Sequence, residues 1–74
     1  MKLTPKEHAI LTLVACGFTD KETAVKLKMS KRTVNTHIAN ILIKLSARNR
    51  VNAVVLYMRA NPKWKIDERI VCND

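Results

Sequence analysis

Residues 19–45 read TDKETAVKLKMSKRTVNTHIANILIKL, and this stretch decides the fold. Thr19 and the glutamate three residues later have the spacing of a capping box, which predicts a helix over residues 20–27. Ser30 is a good N-cap for a second helix over about 31–45. Two helices joined by so short a turn are typical of a helix-turn-helix, whose second helix presents an exposed face to a DNA groove.

The second predicted helix has two chemically different faces. Its apolar residues recur at helical spacing and are expected to face a core: Val34, Ile38, Ile41, Leu42 and Leu45. Short or polar side chains occupy the opposite side: Lys31, Arg32, Asn35, Thr36 and Ala39. Ala39 is small enough not to obstruct the entry of this exposed face into a groove.

The residues before this stretch predict a first helix from Pro5 to about Cys16. Thr4 is a good N-cap, and with Glu7 it makes a second capping box. Gly17 is the only glycine in the chain, and it falls where a left-handed residue ends a helix at little cost.

The residues after it predict a fourth helix from about Arg50 to Ala60, with Asn49 as its N-cap. Pro62 ends this helix, because a residue before proline resists the helical conformation. The expected fold is therefore all-α, a four-helix bundle containing a helix-turn-helix, over residues 1–61. We expect the tail, residues 62–74, to dock on the domain or on a partner.

Basic charge is concentrated in the helical part of the chain. Residues 1–61 contain 11 Lys/Arg and 3 Asp/Glu, which gives +8, whereas residues 62–74 contain 3 of each. Residues 21–50 alone contain 8 basic residues and one acidic residue. Such a patch favours a polyanion as partner, although a basic surface that only contacts water would have the same composition.

Other features of the sequence argue against several protein classes. No apolar run approaches the ~20 residues that span a bilayer, and the N-terminus lacks the apolar core of a signal peptide, so we expect a cytoplasmic protein. Catalytic and cofactor motifs are absent, which argues against an enzyme and a cofactor. Cys16 and Cys72 have no metal-ligand spacing, so we expect reduced thiols and no metal.

Four sequence motifs occur in order and without gaps: LTPKEHAIL from Leu3, ACGFTDKETA from Ala15, LKMSKRTVNTHIANILIKL from Leu27 and ARNRVNAV from Ala47. Together they resemble the LuxR-type (GerE-type) DNA-binding domain over residues 3–60. The resemblance implies a third helix that reads the major groove, dimers formed through the fourth helix, and transcription regulation in bacteria. Such domains commonly follow a receiver or ligand-binding domain, so the chain is either a free-standing member or a fragment.

Four residues depart from the family pattern. Asn35 stands where the family usually has a basic residue, and asparagine can bond bidentately to adenine. Thr23 replaces the usual isoleucine, which weakens the core beside the second helix. Ser46 stands where glycine is usual, and Ile43 occupies a position that is often charged and exposed.

Ten residues are candidates for contact with DNA. Phosphate contacts are expected from six basic side chains, any one of which could instead be an ordinary solvated residue: Lys21, Lys31, Arg32, Lys44, Arg48 and Arg50. Thr33, Asn35 and Thr36 lie in the first turns of the third helix, where side chains reach base edges or nearby phosphates. Thr33 is equally well placed for cap chemistry with Ser30. For His37, the resemblance implies a modest phosphate contact.

The fourth helix has more apolar surface than one core face requires, which indicates an interface. We expect Val51, Val55 and Met58 to form it, in a homodimer on DNA or in a heterodimer with another regulator. In the competing arrangement, Trp64 and Ile70 of the tail cover this face.

Two other functions compete with DNA reading. The first is a protein-interaction co-regulator that keeps the fold and pairs with another regulator without reading DNA. The second is RNA binding, which usually relies on stacking platforms. The chain has only three aromatic residues of the Phe, Tyr and Trp type, and they are dispersed in the sequence.

Overall fold

A computed structural model describes residues 3–64. It has four helices, α1 (Pro5–Ala15), α2 (Asp20–Leu27), α3 (Lys31–Leu45) and α4 (Arg50–Ala60). No strand occurs between residues 3 and 64, so the expected all-α class is confirmed. No helix in this range is long and apolar enough to cross a membrane.

Each helix begins at the N-cap that the sequence predicts. The side chains of Thr4, Thr19, Ser30 and Asn49 accept hydrogen bonds from backbone N–H groups three residues later, at 2.8–3.2 Å. Both threonines also receive the reciprocal contact of a capping box, in which the later glutamate accepts from the threonine N–H. These contacts satisfy N–H groups that a helix start leaves without intrahelical partners.

Left-handed residues end the first three helices. Gly17 has φ 93°, as predicted, and Lys28 and Ser46 have φ 55° and 53°. Ser46 therefore adopts the conformation that glycine favours, at the position where the resemblance implies glycine. Its N–H donates to the carbonyl of Ile43 at 3.2 Å, so the turn between α3 and α4 forms without glycine.

One core joins all four helices. Its buried side chains are Ile10, Leu11, Ala24, Val34, Ile38, Ile41, Ala53 and Tyr57. Ala24 and Ala53 are small, so their helices can approach the larger branched residues of α1 and α3 closely. The apolar stripe of α3 lies at the centre of this packing, which fixes the opposite face of α3 toward solvent.

Trp64 attaches the start of the tail to α1 and α4. Its indole Nε1 donates to Thr12 Oγ1 at 3.3 Å, and its ring makes edge contacts with Tyr57 and His8, at centroid distances of 4.8 and 6.0 Å. Trp64 thus packs beside Tyr57, and Val51 remains 70% exposed. Residues 65–74, which include Ile70, lie outside the described residues.

Cys16 is the C-cap of α1, where its backbone N–H donates to the carbonyls of Thr12 and Leu13 at 3.1 Å, and the residue is half-buried. The expectation of reduced thiols concerns Cys72 as well and stays a prediction. Cys72, the other cysteine of the chain, lies outside the described residues.

Candidate nucleic-acid interface

The outer face of α3 carries half of the ten side chains expected to contact DNA. Val34, Ile38 and Ile41 are buried on the inner face. Seven residues of the first three turns are exposed: Lys31, Arg32, Thr33, Asn35, Thr36, Ala39 and Asn40. The predicted division of α3 into a core face and a polar outer face is therefore confirmed.

The two threonine hydroxyls on this outer face already have protein partners. Thr33 Oγ1 lies 2.8 Å from Ser30 Oγ, and its N–H donates to the same oxygen at 3.0 Å. Cap chemistry, one of the two alternatives for Thr33, is therefore present. Thr36 Oγ1 donates back to the carbonyl of Arg32 at 3.1 Å.

Asn35 differs from its threonine neighbours. Its side chain is exposed and makes no hydrogen bond to other residues in the described range. The amide therefore keeps its donors and its acceptor for a partner. That combination matches the N6 donor and N7 acceptor of adenine in the major groove.

Lys44 has a structural partner that the sequence did not indicate. Its Nζ donates to Glu7 Oε1 at 2.7 Å, and the Glu7 side chain is only 4% exposed. Burial raises the pKa of Glu7, but the hydrogen bonds from Lys44 and Thr4 and the charge of Lys44 outweigh it, so the pKa is lowered overall. Lys44 therefore compensates a buried carboxylate, and with 32% of its side chain exposed it can face a phosphate as well.

Arg50 joins the first turns of α2 and α4. Its guanidinium donates to both carboxylate oxygens of Asp20, at 2.6 and 3.4 Å. The hydrogen bond from Arg50 lowers the pKa of Asp20 most; burial opposes this effect, and the charges of Arg50 and Lys31 add to it. The Arg50 side chain is 42% exposed, so the ion pair does not hide it from solvent.

The remaining three candidates are Lys21, His37 and Arg48. Lys21 is exposed in the first turn of α2, and Arg48 is exposed in the loop between α3 and α4. The N–H of Arg48 donates to Asn52 Oδ1 at 2.9 Å, which holds the loop against α4. His37 is half-buried, and its Nδ1 is buried without a hydrogen-bond partner in the described range.

The expected interface residues of α4 lie on its outer surface. Val51, Val55 and Met58 are 70%, 39% and 47% exposed. Val51 and Val55 line a groove of about 210 Å³, together with Val14 and Ala15 of α1. The sequence did not predict that α1 lines this groove. Helical spacing places Val14 on a face of α1, but it does not say which other helix lies beside that face.

Sequence reasoning placed Ala39 on the outer face of α3, and Ala39 is exposed there, but it missed Asn40. Asn40 is exposed one turn after Thr36, and the i, i+4 spacing could have identified it as part of the same face. Ile43 is 74% exposed, which agrees with the exposed character implied for its position.

Comparison with known proteins assigns the chain to a family. The model of "Bacterial regulatory proteins, luxR family" matches residues 1–57. The chain is 41% identical over 59 residues to a nitrate/nitrite response regulator protein homolog of Haemophilus influenzae, which covers 80% of this chain and 28% of that protein. It is 36% identical over 67 residues to the uncharacterized transcriptional regulatory protein YhcZ of Bacillus subtilis, which covers 90% of this chain and 31% of YhcZ.

A third relative is the response regulator protein VraR of Staphylococcus aureus, 39% identical over 59 residues, which covers 80% of this chain and 28% of VraR. The chain thus spans less than a third of the length of these relatives. The expected resemblance is confirmed: the chain belongs to the luxR family of bacterial regulatory proteins and has a LuxR-type helix-turn-helix domain.

Proposed function

We propose that the chain binds double-stranded DNA sequence-specifically, with α3 in the major groove, and regulates bacterial transcription in the cytoplasm. Family membership supports DNA-binding transcription regulation as the general role. The single observation that carries the finer proposal is the outer face of α3. It combines an exposed amide at Asn35, which has no hydrogen-bond partner among residues 3–64, with small neighbours, and α3 itself is held by a buried core.

Phosphate contacts would supply most of the affinity. Two exposed cations, Lys31 and Arg32, lie on the outer face of α3 itself, in its first turn. Lys21 and Arg48 lie at the ends of neighbouring elements and would hold the DNA backbone on either side. Lys44 and Arg50 contribute less in this proposal, because each already neutralises a carboxylate.

Two copies would pair through α4. The outer face formed by Val51, Val55 and Met58 leaves apolar surface in water, and pairing removes it. A two-fold pair would place two α3 helices about one DNA turn apart and so read two half-sites. The same surface could pair with the α4 helix of another regulator. Residues 1–61 would form this unit, with 62–74 as a docked tail.

A second candidate function is that of a co-regulator, which pairs with another regulator and does not read DNA itself. The exposed side chains of Val25 and Ile43, at 72% and 74%, favour it, because they are apolar surface outside the α4 face. The two functions differ in one property. A DNA reader binds duplex DNA by itself, and a co-regulator does not.

Binding of the purified chain to a random-sequence duplex at several salt concentrations tests the proposal. If about 4–6 phosphates are contacted per copy, affinity per copy should fall about 10²–10³-fold between about 50 and 200 mM salt. Arg32→Ala should reduce the slope of log affinity against log salt by about one. Lys6→Ala removes an exposed charge from α1 and serves as the matched control. No binding, or a flat dependence on salt, would favour the co-regulator.

A further inference from the structure

We infer that Thr36 and Ala39 recognise the C5-methyl groups of thymine, so that each half-site contains thymine opposite these two residues. This inference rests on the proposed function, because it requires α3 in the major groove. The chemical feature that this part of the outer face of α3 would select is a methyl group.

The hydroxyl of Thr36 carries one proton, and that proton is already used. Thr36 Oγ1 donates to the carbonyl of Arg32 at 3.1 Å, within the helix. A hydroxyl has a single donor, so Thr36 has none left for the acceptors that bases present in the groove. Thr36 is exposed, and its methyl group and the oxygen lone pairs are what remain for contact.

Ala39 continues the same face one turn later. It is exposed, and it lies three residues after Thr36, so their Cα atoms are separated by about 4.5 Å along the helix axis. Its side chain is a methyl group that neither donates nor accepts. The methyl groups of Thr36 and Ala39 therefore form an apolar strip beside Asn35, the polar residue that precedes Thr36 on this face.

The major groove offers this strip one apolar partner. Guanine presents two acceptors, cytosine a donor, and adenine an acceptor and a donor, whereas thymine presents an acceptor and a methyl group. Purine acceptors opposite Thr36 and Ala39 would lose water without gaining a donor, and this is unfavourable. The methyl group of thymine would instead be buried against two methyl groups. An adenine contact by Asn35 is compatible with this, because every adenine is paired with a thymine.

The inference is tested by replacing thymines with deoxyuridine, one at a time, in a duplex that the chain prefers over random DNA. Uracil lacks only the methyl group. At one or two positions per half-site, binding should weaken about fourfold, as expected when one methyl group of apolar surface is no longer buried. Thr36→Ser removes the protein methyl and keeps the hydroxyl, and it should reduce the sensitivity to uracil at one of these positions. Thr19→Ser makes the same change at the exposed N-cap of α2 and should retain full sensitivity.

The outcomes separate the inference from the proposal on which it rests. If the preferred duplex is bound equally well with uracil at every position, the thymine inference is wrong and sequence-specific reading stands. If the uracil effect is present but Thr36→Ser leaves it unchanged, the assignment to Thr36 is wrong. If no duplex is preferred over random DNA, the proposed function fails and the inference fails with it.

Discussion

Lys44 Nζ lies 2.7 Å from Glu7 Oε1, and this contact joins the last turn of α3 to the first turn of α1. The same oxygen of Glu7 accepts the N–H of Thr4 at 2.9 Å. One carboxylate oxygen therefore serves both the capping box of α1 and the ion pair to α3. The pair therefore helps to fix the orientation of α3, the candidate reading helix, against α1.

We expect Lys44→Ala to destabilise the fold by about 1–3 kcal/mol, because it leaves a buried carboxylate without its cation. The effect should lie below that of a fully buried pair, since part of Lys44 faces water. Urea unfolding measures it, with Lys6→Ala on the exposed side of α1 as the control, expected within about 0.5 kcal/mol of the parent chain. An equal effect of both variants would contradict a structural role for the pair.

Stability should fall at acid pH because Glu7 and Asp20 have lowered pKa values in the folded chain. The unfolded chain binds protons first as pH falls, so acid favours unfolding. The contribution of Glu7 should be complete above its ordinary pKa of 4.5 and should be lost as pH falls from there through the lowered folded value. For Asp20 the loss begins near 3.8.

Thermal unfolding between neutral pH and pH 3 measures this loss. Glu7→Gln should make the decline shallower, because the buried group can no longer titrate. Glu22→Gln makes the same substitution in the exposed α2 capping box and measures what the loss of a capping-box carboxylate does by itself. A Glu7→Gln variant that loses as much stability in acid as the parent would remove Glu7 from the explanation.

Thr23→Val should stabilise the domain by about 1 kcal/mol. Thr23 is fully buried, and its Oγ1 has no hydrogen-bond partner between residues 3 and 64. Valine has nearly the same shape and removes an unsatisfied hydroxyl. Thr12→Val is the matched control, because Thr12 is also buried but its hydroxyl contacts both His8 and Trp64. We expect no gain there, and a gain of equal size in both would show that the missing partner is not the reason.

Val51→Glu should abolish cooperative binding to paired half-sites and leave binding to a single half-site intact. A charge on each copy would lie in the proposed α4 interface and repel its equivalent. Val25→Glu is a close control, since the two valines are 70% and 72% exposed and only Val51 lies on α4. The ratio of affinities for paired and single half-sites is the measured quantity. Retained cooperativity in Val51→Glu would place the interface elsewhere.

The local signals in the sequence predicted the helices well. Thr4, Thr19, Ser30 and Asn49 each act within a few residues of their own position, so their effect can be inferred from spacing alone. The inner stripe of α3 was predictable for the same reason. The outer face followed from it, because a helix with one buried side exposes the other.

Contacts between distant residues could not be predicted in this way. Lys44 and Arg50 were expected to contact phosphates because they are basic, but each lies beside a carboxylate from another helix. Those partners are 37 and 30 residues away in sequence, and no spacing rule joins them. The back-bond of Thr36 lies within one turn, yet it depends on a side-chain rotamer that sequence does not fix.

Selection of bound duplexes from a random pool, carried out in parallel for the parent chain and Asn35→Ala, tests base reading by α3 most directly. The parent chain should enrich two half-sites centred about 10–10.5 base pairs apart. Asn35→Ala should lose preference at one base pair in each half-site, at about 1–3 kcal/mol of discrimination, and retain the rest. If the parent chain enriches no sequence, or if Asn35→Ala weakens selected and random DNA by the same factor, Asn35 does not read bases from α3.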